Sequence, residues 1–279
     1  MADVDTSERI WTRDSALLTE SVRDAELLTT TVREAGALAL SLFRTDLKNW
    51  TKGASSPVSE ADIAVNDLLE QRLRAATPDY GWLSEESADD EKRLGKSKVW
   101  IVDPIDGTRG YLAGREDWCV SVALVEDDAP VLAAVFAPVT DEFFFARRGQ
   151  GATHNAKPVH ATAGTSLDFS RVAGPKPLVE RLSLSSGEIS LHPRIASLAL
   201  RLSRVAQGTL DAAFAGGNSR DWDLAAANLI VQEAGGKMTA LSGDAILYNR
   251  REVGHGVLVA AGRDRHASIV SHFRSRPLP

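Results

Sequence analysis

The sequence predicts a layered α/β (α+β) fold in which helices cover sheets, and three observations carry that expectation. Segments with helical spacing of apolar residues alternate with short β-branched runs in both halves of the chain. The length of 279 residues, 43% of them hydrophobic, suits one large core or two packed halves. The apolar run Val99 to Val102, built around Trp100, stops at Asp103-Pro104 and reads as a buried strand that delivers a carboxylate to the rim of a sheet.

Composition narrows the expected partners. Lys and Arg total 32 against 38 Asp and Glu, a net charge of −6 without a long run of either sign, so neither a nucleic-acid polymer nor a membrane surface is expected. A single cysteine, Cys119, leaves no intrachain disulfide framework and fits a reducing cytoplasm. Nor is a spanning segment or signal peptide expected, because no apolar stretch is long enough and the start Met1 to Asp5 is acidic.

From Ser15 to Phe43 apolar residues recur at helical spacing, which predicts one long amphipathic helix or two. Asn49 to Ser56 reads as a polar loop with Lys52 in solvent. Pro57 to Asp62 leads into a second helix through Ile63, Val65, Leu69 and Leu73, with Ser59 as N-cap and Asp62 in the first turn, where a carboxylate also serves the helix dipole. Tyr80 to Leu83 is a short strand that runs into Ser84-Glu85-Glu86-Ser87. If it pairs with the Asp103 strand, one of the two glutamates lies beside Asp103; adjacent residues on an extended chain face opposite ways, so only one can.

After Asp103-Pro104, Asp106-Gly107-Thr108 suits a turn into a short helix that reaches Gly114. Two carboxylates leaving one strand end can share hard cations, a carbonyl between them can add an oxygen, and the amides of Gly107 and Thr108 can face a phosphate. The same stretch also reads as an Asp-Pro turn with an aspartate cap. Trp118 to Val125, Val131 to Phe136 and Glu142 to Ala146 predict an antiparallel meander. Further on come a strand at Ser170 to Ala173, a helix at Arg194 to Gln207 and a strand at Leu210 to Phe214, while residues 175–193 carry no clear pattern. A loop from Ala215 then brings Asp221-Trp222-Asp223 to the apolar helix Leu224 to Ala234, with Asp221 as N-cap and Asp223 in need of a dipole role or a cation. Strands near Met238 and at Gly256 to Ala260, and a helix at Asp264 to Phe273, complete the chain.

Glu85, Asp103, Asp106 and Asp223 thus form a set of oxygen-only ligands at strand ends or helix starts. Such a set suits Mg2+ or Mn2+, argues against zinc, and repels itself without a cation.

W-I-V-D-P-I-D-G-T at Trp100 to Thr108, L-S-E-E at Leu83 to Glu86, S-P-V-S-E-A-D at Ser56 to Asp62 and W-D-L-A-A-A…E-A-G-G at Trp222 to Gly236 together resemble the signature blocks of the inositol monophosphatase superfamily. The resemblance implies a layered αβαβα sandwich of the inositol monophosphatase and sugar phosphatase type. It implies an N-terminal half, 1–150, with most metal ligands, and a C-terminal half, 151–279, with Asp223 and the specificity residues. The implied activity is a Li+-sensitive phosphomonoesterase in which two or three Mg2+, or Mn2+ in their place, are held by Glu85, Asp103, the Ile105 carbonyl, Asp106 and Asp223. By the same resemblance Thr108, held by Asp62 and close to Glu85, activates a water. The amides of Gly107 and Thr108 hold the phosphate, and Asp106, Ser197 and Arg201 join them in binding the substrate. A homodimer is also implied.

Ala137-Pro138-Val139 and Leu247-Tyr248-Asn249 look more like the 3'(2'),5'-bisphosphate nucleotidase branch. Ala215 stands where inositol enzymes place a glutamate, and Arg201 where nucleotidases carry a lysine, so the expected substrate is 3'-phosphoadenosine 5'-phosphate, cleaved to AMP and phosphate. Inositol 1-phosphate or a related sugar phosphate is the alternative within the same chemistry. A non-catalytic metal- and phosphate-binding module is the alternative of another class, and a structural Ca2+ site a third. One departure from the family pattern is Ile195-Ala196-Ser197, where a glycine is expected.

Overall fold

The computed structural model describes residues 6–52, 56–186 and 188–276, with the side chains of 6–19, 56 and 184–186 left aside. Helix α1 runs from Thr6 to Leu42, starting earlier than Ser15, and buries Leu28, Val32, Ala35 and Ala39, one stripe at helical spacing. Strands β1 (Asn49–Lys52) and β2 (Ser56–Ser59) pair antiparallel, so the expected polar loop is a hairpin, and its tip at 53–55 lies outside the described residues. Helix α2 (Glu60–Ala76) follows Ser59 and lays Ala61, Val65, Leu69 and Leu73 against α1 and the first sheet.

That sheet consists of β3 (Gly81–Ser84), β4 (Lys98–Asp106), β5 (Cys119–Glu126), β6 (Ala129–Ala137), β7 (Glu142–Arg147), β8 (Ala152–His154) and β9 (Lys157–Pro158), in that order. Only β3 and β4 are parallel, and the expected meander continues past Ala146 through two further short strands. Between β4 and β5 stands α3 (Thr108–Leu112).

The second sheet takes the order β11-β10-β12-β16-β14, from β10 (Arg171–Ala173), β11 (Ser190–Leu191), β12 (Ala212–Ala215), β14 (Gly236–Ala240) and β16 (Leu258–Gly262). Helices α4 (Lys176–Ser186), α5 (Leu198–Ala206) and α6 (Asp221–Glu233) connect these strands, α7 (Arg263–Ser275) follows β16, and a small ribbon pairs β13 (Ser219–Arg220) with β15 (Gly254–His255). The patternless stretch 175–193 therefore holds α4 and the edge strand β11.

Strand periodicity sorts the layers. On β4 and β5, Trp100, Val102, Val120 and Val122 face α1 and α2, whereas Ile101, Cys119 and Ala123 face α5 and α6. On β12, Ala213 and Ala215 share that central helical layer, while Ala212 and Phe214 turn to α4 and α7. The result is the five-layer αβαβα sandwich, with α5 and α6 between two sheets. No described helix is long and apolar enough to cross a membrane.

Candidate active site

Strand β4 does not stop at Asp103. It continues to Asp106 with a register shift, Asp103 opposite Ser121 and Asp106 opposite Cys119, so one extra residue is inserted beside Pro104. In a regular strand residues three apart point to opposite faces, and the inserted residue re-aims the second carboxylate to the side of the first. Both aspartates are nearly fully buried on the α6 side. The parallel pairing of β3 with β4 sets Ser84 beside Val102, and the Glu85 amide donates to the Val102 carbonyl at 3.1 Å. Leu83 faces the central layer, so Glu85, two residues on, faces it too.

One carboxylate oxygen from each of Glu85, Asp103 and Asp223 lies within 4.8 Å of the other two. Asp223 arrives from the first turn of α6, where its Oδ2 accepts from the Arg220 amide at 2.6 Å. Helix α6 begins at Asp221, which is not its cap: the Asp221 carboxylate instead accepts from the Asn249 amide at 2.8 Å and pairs with His255 Nε2 at 2.7 Å, tying the α6 start to β15. Burial, then neighbouring acids, pushes Asp103 and Asp223 well above the usual carboxylate range. Glu85 is pushed up to about 7 by burial and by Glu86 and Asp106. Asp103 Oδ1 is buried without a hydrogen-bond partner. Three mutually repelling carboxylates with an orphaned oxygen and no sulfur or imidazole donor fit a hard divalent cation.

Asp106 lies beside this trio. Its Oδ2 accepts from the Ser197 hydroxyl at 2.6 Å and from the Ala199 amide. Burial still raises its pKa, against those two hydrogen bonds. Ser197 is the N-cap of α5, which starts at Leu198 and not at Arg194, and its oxygen accepts from the Leu200 amide at 2.9 Å. It also lies 3.2 Å from Cys119 Sγ. Its one proton goes to Asp106, so the thiol is the donor in that contact. Ser197 is fully buried behind Asp106 and positions that carboxylate; it does not face the cavity as the sequence reading expected of a substrate contact.

Thr108 opens α3 after Gly107, whose φ of 97° and close approach to the Ser197 amide, 3.0 Å from where a Cβ would stand, leave room only for glycine. The Thr108 hydroxyl lies 2.9 Å from Asp62 Oδ1 and 3.0 Å from the Ile105 carbonyl. Asp62 Oδ2 accepts from the Ser59 amide at 2.8 Å and the Ser59 hydroxyl at 2.5 Å, and burial raises its pKa. Lys52 is exposed, as expected, yet it does not stand free: its ammonium contacts the Glu85 carbonyl and lies 3.5 Å from the Glu86 carboxylate.

A cavity of about 380 Å³ joins these groups. Glu85, Asp103, Asp106 and Asp223 line it, together with Arg109, Arg115 and Arg194. Those arginines were not picked out from sequence; only the adjacency of Arg109 to Thr108 hinted at one. Arg201, expected to meet substrate, does not line the cavity, and its Nε is buried and unpartnered. Ala215 is wholly buried in the central layer and does not line the cavity either.

A family model for the inositol monophosphatase family matches residues 21–278. The chain belongs to the inositol monophosphatase family. It is a phosphatase, a hydrolase of phosphate esters, and divalent metals and lithium sensitivity are typical of this family. An inositol-1-monophosphatase of Caulobacter vibrioides is 30% identical over 243 residues, 83% of this chain and 92% of that one. A 3'(2'),5'-bisphosphate nucleotidase CysQ of Aggregatibacter actinomycetemcomitans is 30% identical over 217 residues, 72% and 78% of the two chains. The solved structure of extragenic suppressor protein suhB from Bartonella henselae superposes with a TM-score of 0.79 at 26% identity, covering 91% of this chain and 98% of that one. Inositol monophosphatase family membership therefore accounts for the sandwich and the acidic rim, while its members differ in the ester they cleave.

Proposed function

We propose that this phosphatase is a Mg2+-dependent, Li+-sensitive phosphomonoesterase whose preferred substrate is 3'-phosphoadenosine 5'-phosphate, releasing AMP and phosphate. The observation that carries the reading is the clustering of Glu85, Asp103 and Asp223 around the orphaned Asp103 oxygen, beside the Asp62–Thr108 pair. In this reading Glu85, Asp103, Asp106, Asp223 and the Ile105 carbonyl hold two or three Mg2+, with Mn2+ as a substitute. Cations bound there would supply Lewis acidity toward the phosphoryl group and its leaving oxygen.

The protein's own part is proton handling and orientation. The Thr108 hydroxyl has one proton and two acceptors within reach, and while Asp62 is ionised the proton goes to Asp62. The threonine oxygen then has a lone pair to accept a proton from an attacking water. Asp62, whose burial favours its neutral form, takes up the proton relayed through Thr108, with Glu85 beside the same space. The amides of Gly107 and Thr108 hold the phosphate that is cleaved. Residues 1–150 contribute Asp62, Glu85, Asp103, Asp106 and Thr108, and 151–279 contribute Asp223.

One feature favours the nucleotide over an inositol phosphate: Arg109, Arg115 and Arg194 line the cavity together with the carboxylates. The single cysteine and the absence of basic runs favour a cytoplasmic enzyme acting on a small ester, with no membrane or nucleic-acid polymer as partner, and we place it there as a homodimer. The test is Mg2+-dependent phosphate release from 3'-phosphoadenosine 5'-phosphate and inositol 1-phosphate, with and without Li+. A higher kcat/KM for the nucleotide supports the reading, and a preference for inositol phosphate replaces it with the inositol-1-monophosphatase alternative. Inertness toward a broad phosphomonoester panel, with Mg2+ still bound, would instead identify a non-catalytic binding module.

A further inference from the structure

The Arg115 and Arg194 part of the cavity is a built arrangement. The Arg115 guanidinium donates from Nε and Nη2 to the two Asp117 oxygens, at 2.9 and 2.6 Å, and from Nη2 to the Arg194 carbonyl at 2.9 Å. Asp117 also accepts the Ala196 amide on Oδ2 at 2.7 Å, and its own carbonyl accepts the Ser197 amide at 3.0 Å. One aspartate therefore fixes both the Arg115 fork and the turn that carries Arg194. Nε and Nη2 of Arg115 are engaged in this way, and Arg115 itself lines the cavity. Arg194 is exposed and lines the same cavity, and no described residue makes a hydrogen bond or ion pair with its side chain. Two guanidinium groups that line one cavity suit an anion, which can accept charge-assisted hydrogen bonds from both.

In the proposed function the cation site at Glu85, Asp103 and Asp223 and the amides of Gly107 and Thr108 serve the phosphate that is cleaved, which leaves Arg115 and Arg194, lining the same cavity, for another group of the substrate. We infer that Arg115 and Arg194, positioned by Asp117, form a clamp for a second anionic group on the alcohol part of the substrate, a phosphate on the far side of the ester. The inference rests on the phosphatase reading above, and it places the substrate-binding cations at Arg115 and Arg194, since Arg201 does not line the cavity. Arg109, at the same rim, adds to the field. Inositol 1-phosphate has no such second group and gains nothing from the clamp.

The test uses two pairs of compounds that differ only in the far phosphate: 3'-phosphoadenosine 5'-phosphate against adenosine 3'-monophosphate, and fructose 1,6-bisphosphate against fructose 1-phosphate. In each pair the wild-type enzyme is expected to favour the bisphosphate in kcat/KM, and Arg194→Gln, Arg115→Gln and Asp117→Asn are each expected to collapse that ratio by about tenfold to hundredfold, the loss of a charge-assisted hydrogen bond. A second readout is calorimetric binding of AMP, which keeps only the far phosphate and is expected to bind more weakly to Arg194→Gln than to wild type, a position exposed enough for the variant to fold. Wild-type ratios near one, or ratios and AMP affinity unmoved in Arg194→Gln, overturn the clamp and leave the phosphatase standing. No phosphate release from any of the four compounds overturns both.

Discussion

Gly110 and Ala196, which both line the cavity, approach so closely that a Cβ on residue 110 would stand 2.6 Å from the Ala196 methyl. The chain lacks a glycine in the stretch 195–197, and the space for Ala196 comes from α3 instead. Gly110 is helical, so its value here is the missing side chain and not an unusual backbone angle.

Replacing Gly110 by Ala is expected to push apart α3 and the 194–197 turn, at a stability cost of about 1–3 kcal/mol for an overpacked site. Activity should fall further than stability, because Thr108 and Arg194 sit on the two displaced segments. The double variant Gly110→Ala with Ala196→Gly should recover both melting temperature and kcat/KM; failure of that rescue would show that the contact is not the cause.

Asp103→Asn keeps the shape of the side chain and removes one of the mutually repelling charges. In chelator the variant is expected to melt higher than wild type by about 2–4 °C, the shift that about 1 kcal/mol produces in a chain this long. The stabilisation by added Mg2+ should shrink or vanish, since a cation that binds only the native state raises its stability in proportion to affinity. Thermal melts with and without Mg2+ read both effects.

The same repulsion sets a pH dependence with opposite signs in the two states. Burial, Glu86 and Asp106 raise Glu85 from its ordinary 4.5 to about 7, so between those values the metal-free native state holds a proton that the unfolded chain has released. Stability of the metal-free protein is therefore expected to fall as pH rises from about 4.5 through about 7, and Asp62, Asp103, Asp106 and Asp223 act in the same direction. Cation binding needs the ionised carboxylates, so stabilisation by Mg2+ should grow over that window. Melting temperatures across pH in chelator and in excess Mg2+ should diverge; parallel curves would contradict the assignment.

Asp62→Asn tests the proton relay apart from cation binding. The amide cannot take up a proton through Thr108, and kcat is expected to drop by about 10²–10⁴. Glu85, Asp103 and Asp223 are untouched, so Mg2+ should still raise the melting temperature. Loss of the Ser59 contacts to a carboxylate should cost about 1 kcal/mol, visible in the absolute melting temperature. Undiminished turnover would remove Asp62 from the reaction.

The two periodicities of the apolar residues, 3.6 and 2, located most of the helices and strands, and local turn chemistry marked Asp62, Asp103, Asp106 and Gly107, because strand ends, caps and left-handed glycines are properties of a few consecutive residues. Alternation along β3 already required that Glu85 and Glu86 face opposite ways, and the oxygen-only donor set already pointed to hard cations. Tertiary structure alone decided the rest. The bulge that turns Asp106 to the side of Asp103 depends on the register with β5, and the helix that begins at Leu198 depends on Ser197 being held by Asp106. The meeting of Asp117, Arg115 and Arg194 joins residues 79 apart in sequence through one guanidinium and one carboxylate. Arg201 lies one α5 turn beyond Ser197 and off the cavity, whereas Arg194 lies before the helix and on it. Local pattern fixes what each segment is, but which side chains share a cavity depends on long-range packing, where a shift of one residue in register reverses the face a side chain presents.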